Sequence, residues 1–507
     1  MFAEPTIADL QAAAARCGLP ALSAENAATL RETLANTVAA LRRLDAMPNP
    51  VLPEAETAPR PAGRAPTPEE NRYGAWAWLG PLTGSGTGLL AGKAVGVKDN
   101  ILVRGMPLRN GSPVLDGFIA DTDATVVTRI LAAGGTIAGK TVCENLSYSG
   151  HSHTSWPDRV QNPRAPGYAA GGSSSGSGAA IAAGDVPVAL GCDQGGSIRT
   201  PAAWCGVVGL KPTHGLVPYT GICALEASID HVGPMGATVE DVARLLTVIA
   251  GPDGHDPRQP ATIPSVNYLA ALGEGLRGLR VGLMTNGFGR LESDPDSDNA
   301  VRAALARMQA TGVEIEEVSV PAHEEMFDVF TGICTEGTAE LMFGAGTGGY
   351  AEGYVNIALL DAFAQGWRSR PEALSPSAVM MLLMGDYLQH RYHGRFYAKA
   401  QALRGTVRQA YTAAFGRCDL LAMPTVPFPA LPMPPIQATF AETLSLALPM
   451  IANTAALDAS GHPALSVPVA MRRGLPIGLM LIGRHFQDAV TLRAAAGLEA
   501  LGDWQTW

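Results

Sequence analysis

The stretch AAGGSSSGSGAAIAAGDVPVALGCDQGGSIRTPAAWCGVVGLKPTHG, residues 169–215, decides how the whole chain is read. Two Gly/Ser clusters, GGSSSGSG (171–178) and DQGGS (193–197), flank a short apolar run, VPVALG (186–191), and each leads into an Ala-rich segment able to form a helix. A flexible linker would not be set between an apolar strand and apolar helices, so both clusters are structured turns. GGSSSGSG offers closely spaced N–H groups and hydroxyls that can approach a ligand. DQGGS sets the N–H groups of Gln194, Gly195 and Gly196 beside the hydroxyl of Ser197. That is the arrangement of an oxyanion hole next to a serine nucleophile.

Outward from this stretch, short apolar runs alternate with helical patterns. AVGVK (94–98), TIAGK (136–140), LRVGLM (279–284), VEIEEVSV (313–320), CDLLAMP (418–424) and LPIGLMLIG (475–483) read as strands. DATVVTRILAAGG (123–135) reads as a helix with Asp123 at its start, and 297–311 and roughly 375–415 are also helical. Strands alternating with helices predict an α/β fold, with a large mixed sheet covered by helices on both faces. Residues 6–45 carry helical spacing (Leu30, Leu34, Val38, Leu41), and seven prolines follow between Pro48 and Pro68. The organisation expected is a small helical extension over 1–46, a Pro-rich linker over 47–70 and a main body over 71–507.

Composition sets bounds on function. Of 507 residues 47% are hydrophobic and only 16% charged, which excludes disorder. The 58 glycines show no three-residue period, so a collagen-like chain is excluded too. A net charge of −10 with no Lys/Arg stripe argues against a nucleic-acid partner. Seven cysteines without a CxxC pair fit a reducing, cytoplasmic setting rather than a disulfide frame. The longest uncharged stretch, Leu420 to Phe440, holds six prolines, so no membrane partner is expected.

A serine nucleophile needs a base. His214 and His231 are the histidines nearest in sequence to the Ser cluster. Lys98 is the other candidate: it ends the apolar run AVGVK, so its stem leaves the core, and desolvation favours the neutral amine that a base requires. Four motifs compete for attention. GGTIAGKT (134–141) spells a phosphate-binding loop, but a helix precedes it and TIAGK is itself a strand, the reverse of what that loop needs. GSSSG (172–176) matches a hydrolase elbow that would make Ser174 the nucleophile. HSH (151–153) and HRYH (390–393) lack acidic or Cys partners at ligand spacing and read as solvated histidines, so no metal is expected.

The combination GGSSSGSGAA…GCDQGGSIRTPAAWCGVVGLKPTHGLVP strongly resembles the amidase signature family. AVGVKDN supplies that family's lysine motif 75 residues before Ser173, and Ser173 precedes Ser197 by 24. The likeness continues through DATVVTRILAAGGTIAGKTVCEN, SIDHVGPM (228–235), CDLLAMPT (418–425) and GHPALSVPV…GLPIGLMLIGRHF, most of residues 85–490. DQGGSIR with KPTHGLVPYTG and the N-terminal extension looks closest to the nitrile-hydratase-associated, broad-specificity amidases.

The resemblance implies the amidase-signature fold, with 71–507 as catalytic domain, and a Ser–Ser–Lys triad. Ser197 is then the nucleophile, Ser173 a bridging serine resembling the family's cis-peptide serine, and Lys98 the base. Gln194, Gly195, Gly196 and Ser197 would form the oxyanion hole, with Ser174 a supporting hydrogen-bond partner. Tyr148, Ile229 and Ile451 would line an apolar acyl pocket. Two positions depart from the family. Ser175 stands where Gly is commoner, and Cys192 where Thr is commoner, a weaker hydrogen-bonding group. The expected activity is hydrolysis of small aryl or alkyl amides through an acyl-enzyme, without cofactor, with a homodimer formed through the N-terminal helices. The alternatives are a carbamate or ester hydrolase using the same triad, or a tRNA-dependent amidotransferase subunit.

Overall fold

The computed structural model describes residues 4–55, 59–344 and 353–507, and the chain divides into two compact units, Met1–Val51 and Leu52–Trp507. The first holds three short helices, Ile7–Arg16, Ala24–Thr33 and Ala35–Asp45. Thr6 opens the first with a capping box: its hydroxyl accepts from Asp9 N at 3.1 Å, and its own N–H donates to the Asp9 carboxylate at 2.8 Å. Ser23 caps the second by accepting from Asn26 N. Ala14, Ala27 and Val38 are the buried side chains of these helices.

The second unit is built on one eleven-stranded sheet. In chain order its strands are β1 (Trp76–Thr83), β2 (Ala94–Lys98), β3 (Thr136–Thr141), β4 (Val188–Asp193), β5 (Val208–Lys211) and β6 (His231–Gly236). They continue as β7 (Arg280–Met284), β8 (Glu314–Val318), β9 (Leu420–Pro424), β10 (Ala464–Arg472) and β11 (Leu475–Ile482). Across the sheet the order is β1-β3-β2-β4-β6-β5-β10-β11-β9-β7-β8. Pairing is parallel for β3–β2, β2–β4, β9–β7 and β7–β8, and antiparallel elsewhere. The sheet is therefore mixed.

Both its faces are covered. Successive side chains on a strand point to opposite faces, and β4 is buried at every position. Val188 and Leu190 join a core that includes Val242, Leu245 and Leu246 of the helix Val239–Ile249. Ala189, between them, joins a different core with Ala179 and Ala180 of the helix Ser175–Ala183. All the strand runs read from sequence are strands here. The helix expected from Asp123 starts at Thr125 with no side-chain cap, because Asp123 is engaged elsewhere: Arg60 pairs with its carboxylate and Arg104 N donates to it at 2.8 Å.

The Pro-rich stretch is bonded to this unit rather than free. Leu52 is buried, and Arg64 exchanges two main-chain hydrogen bonds with Leu79 of β1, each 2.8 Å. Among the described residues no helix is long and apolar enough to cross a membrane. For function the decisive placement is that β2 and β4 are parallel neighbours, with Val97 opposite Leu190. Their carboxyl ends, Lys98 and Asp193, emerge at the same edge, where open α/β sheets commonly bind ligands.

Candidate active site

Three segments converge at that edge: the end of β2, the turn before the helix Ser175–Ala183, and the turn after β4. Lys98 is wholly buried, and its Nζ donates to Ser173 Oγ at 2.8 Å and lies 3.5 Å from the Cys192 carbonyl. The Gly172–Ser173 peptide is cis. Its surroundings hold the turn on both sides: Gly172 N donates to Gly150 O at 2.7 Å, and Ser173 O accepts from Glu144 N at 3.1 Å. The two Gly/Ser turns meet through Ser174, whose N–H donates to Ser197 O at 3.2 Å. Ser174 Oγ also donates to Cys192 O at 3.1 Å and accepts from Cys192 N at 3.2 Å. Support from Cys192 thus runs through its main chain, which the Cys-for-Thr change leaves intact, while its thiol turns to Asn100 Oδ1 at 3.3 Å. Ser175 Oγ accepts from Ser155 Oγ at 3.3 Å.

The turn after β4 is held from beneath by a buried ionic group. Asp193 accepts from the N–H groups of Gly196 (2.5 Å) and Ile198 (3.0 Å), and both its oxygens are 3.0 Å from the Arg199 guanidinium. Burial alone would raise the Asp193 carboxyl; the guanidinium overrides it and holds the group below the usual carboxylate range. Arg199, itself fully buried, also donates to Asp458 at 2.7 Å and to Thr454 O at 3.0 Å. Thr454 Oγ1 closes the ring by donating to Gly195 O at 2.6 Å. Gly196 has φ +136°, and a Cβ there would lie 2.3 Å from Thr454 Oγ1, so this position demands glycine.

These bonds revise the expected oxyanion hole. The Gly196 N–H is taken by Asp193 because the turn folds back onto its own first carboxylate. The N–H groups of Gln194, Gly195 and Ser197 donate to no described residue. They remain for a ligand.

Ser197 opens into a cavity of about 220 Å³ whose walls include Tyr148, Phe327, Phe330, Met381, Leu448 and Ile451. Tyr148 and Ile451, two of the three residues the resemblance implied for an acyl pocket, stand on this wall. Ile229 does not: it is fully buried and packs in a core cluster with Ile333, Leu457 and the buried flank of Phe330. The candidate base histidines are also elsewhere. His231 Nδ1 faces Ile229 O at 2.7 Å and His214 Nε2 faces Ala227 O at 3.2 Å, and burial holds both well below the ordinary imidazole range. His151 and His153, expected in solvent, are buried with rings edge-on at 4.8 Å, since His151 also packs against Trp204. His390 and His393 are exposed.

Asp193, Arg199, Thr454 and Asp458 were missed as contributors. The acid and base of DQGGSIR, six residues apart, were the available signal; Asp458 lies 259 residues beyond Arg199 and offered none locally.

A further buried acid lies behind the cavity wall, against Leu225. Asp230 accepts from Leu225 N with both oxygens (3.1 and 3.2 Å), yet burial pushes its carboxyl up to about 7 from 3.8. Between those values the folded chain keeps a proton that the unfolded chain has released, so raising the pH through that window removes stability. Below it both states are protonated, and above it both are ionised. The unfolding free energy of wild type relative to Asp230→Asn is expected to fall as pH climbs, by up to about 1.4 kcal/mol per pH unit. A difference that stays flat with pH in urea titrations would rule this out.

A family model described as Amidase matches residues 65–492. An enantioselective amidase of Rhodococcus rhodochrous is 45% identical over 460 residues, 88% of this chain and 88% of its own length. A glutamyl-tRNA(Gln) amidotransferase subunit of Chloroflexus aggregans is 36% identical over 433 residues, covering 82% and 84%. Among solved structures, 6-aminohexanoate cyclic dimer hydrolase complexed with substrate aligns with a TM-score of 0.70 at 27% identity, over 82% of this chain and 85% of that one.

Proposed function

Because the chain belongs to the amidase family and is an amide-hydrolysing enzyme, we propose that it cleaves small aryl or alkyl carboxamides through an acyl-enzyme on Ser197. The observation that carries this reading is the 2.8 Å contact from Lys98 Nζ to Ser173 Oγ, beside a Ser197 flanked by undonated N–H groups. In its neutral form Lys98 takes the Ser173 proton as Ser173 takes the Ser197 proton, and Ser197 Oγ bonds to the amide carbon. The carbonyl oxygen becomes an oxyanion held by the N–H groups of Gln194, Gly195 and Ser197. The proton then returns through Ser173 to the leaving nitrogen, the C–N bond breaks, and ammonia or an amine departs. Water attacks the ester by the same relay and restores Ser197.

The cavity walls support an apolar acyl group: Phe327, Phe330, Leu448 and Ile451 offer surface whose burial is worth roughly 25 cal/mol per Å². The higher identity to an enantioselective amidase (45%) than to the amidotransferase subunit (36%) supports the amidase reading over the amidotransferase one.

The test is acyl transfer. With benzamide and hydroxylamine the protein alone is expected to form benzohydroxamate as well as benzoate, since an acyl-enzyme is open to either nucleophile. Release of ammonia without any hydroxamate over a range of hydroxylamine concentrations would exclude the covalent route.

A further inference from the structure

The side chain of Gln194 is oriented by a chain of bonds that the reaction above does not use. Gln194 Nε2 lies 2.8 Å from the Tyr219 phenol oxygen, and that phenol donates to Cys223 O at 3.2 Å. A phenol carries one hydrogen. Having spent it on Cys223, Tyr219 can only accept from Gln194, so the amide nitrogen must face Tyr219 and Oε1 must face away. Burial drives the Tyr219 phenol well above its ordinary range, which keeps that hydrogen in place. Tyr219 is itself fixed: its N–H donates to Asp256 at 2.8 Å, and the Arg258 guanidinium lies 4.6 Å from its ring centre. The amide of Gln194 therefore cannot turn over without breaking two hydrogen bonds.

What is left is an acceptor. Gln194 is 3% exposed, and no described residue donates to its Oε1. A buried carbonyl oxygen without a donor is rare because its desolvation goes uncompensated. Gln194 also forms part of the wall of the cavity that contains Ser197. We propose that Gln194 Oε1 receives an N–H of the bound substrate, so that the site selects carboxamides over esters of the same acid. An ester presents an oxygen lone pair where the amide presents a donor, and leaves Oε1 unpaired on binding. The inference rests on the amidase reading and adds a side-chain determinant of leaving-group class to it.

The experiment compares kcat/KM for benzamide and methyl benzoate in wild type, Gln194→Met and Tyr219→Phe. The amide-to-ester ratio is expected to fall about tenfold or more in Gln194→Met, as in sites that lose a partner for a substrate N–H. Tyr219→Phe, which frees the amide to rotate, should lower the ratio by a smaller factor, and it carries the test alone if Gln194→Met fails to fold. Loss of amide and ester turnover in equal proportion, with the ratio unchanged, would overturn the proposal and leave Gln194 a structural residue. A wild type that cleaves the ester but not the amide would overturn it too, while Ser197 catalysis stands. Inactivity of wild type toward both compounds would instead strike the amidase reading itself.

Discussion

Ser197→Ala is expected to lower kcat/KM for amide hydrolysis by about four orders of magnitude or more and to leave the fold unchanged. The size follows from removing the atom proposed above to bond the acyl carbon, since loss of a nucleophile costs as much as loss of the whole relay. The intact fold follows from the bonding around the residue. Ser197 holds its neighbours through its main chain, by accepting from Ser174 N at 3.2 Å, and its hydroxyl bonds to no described residue. Thermal midpoints of variant and wild type should agree closely, with kcat/KM alone collapsing. Substantial remaining activity would transfer the nucleophile to a neighbouring serine, with Ser174 of GSSSG the first to examine.

The second large effect is expected at Lys98. Lys98→Met keeps length and bulk but removes the base, and a loss of about a thousandfold or more in kcat/KM is anticipated. The substitution gives up the 2.8 Å bond to Ser173 Oγ, whereas the Cys192 carbonyl keeps the hydroxyl of Ser174 as donor. Lys98→Arg makes the companion test, because a guanidinium donates to Ser173 but does not give up its proton. Both variants should be impaired to a similar degree. An arginine variant within tenfold of wild type would show that position 98 needs only a positive charge, and the proton relay would have to be abandoned.

Much of this molecule was legible in its sequence because its strands are plain apolar runs bounded by Gly and Pro. AVGVK, TIAGK and CDLLAMP each appear as strands within two residues of the reading. β6 was not legible, since HVGPMG sets Pro234 and two glycines inside a central strand, where pattern reasoning expects neither. Its partners β4 and β5 supply what its own residues do not. At the site, Lys98 stood out because it closes an apolar strand, whereas Ser173 was singled out by the family likeness. Ile229 did not fall where the family likeness suggested, because its side chain turns into the core packed around Leu457. The role of Gly196 was likewise invisible, because DQGGS does not show that Asp193 folds back onto its own turn. Thr454 and Asp458 reach the site only through tertiary contact with Arg199.

The bond between Arg199 and Asp458 also sets a schedule on the ribosome. The sheet order places β10 and β11 between β5 and β9, so its middle stays open until Ile482 has been made. Arg199 meanwhile waits for a carboxylate 259 residues downstream. At roughly 5–20 residues per second of synthesis, that gap lasts on the order of 10–50 s. During that interval the turn has only its local brace, Asp193 with Arg199, and lacks the Thr454 and Asp458 partners that complete the ring beneath it. The ring beneath the turn is therefore complete only once Asp458 has been made and folded back onto Arg199.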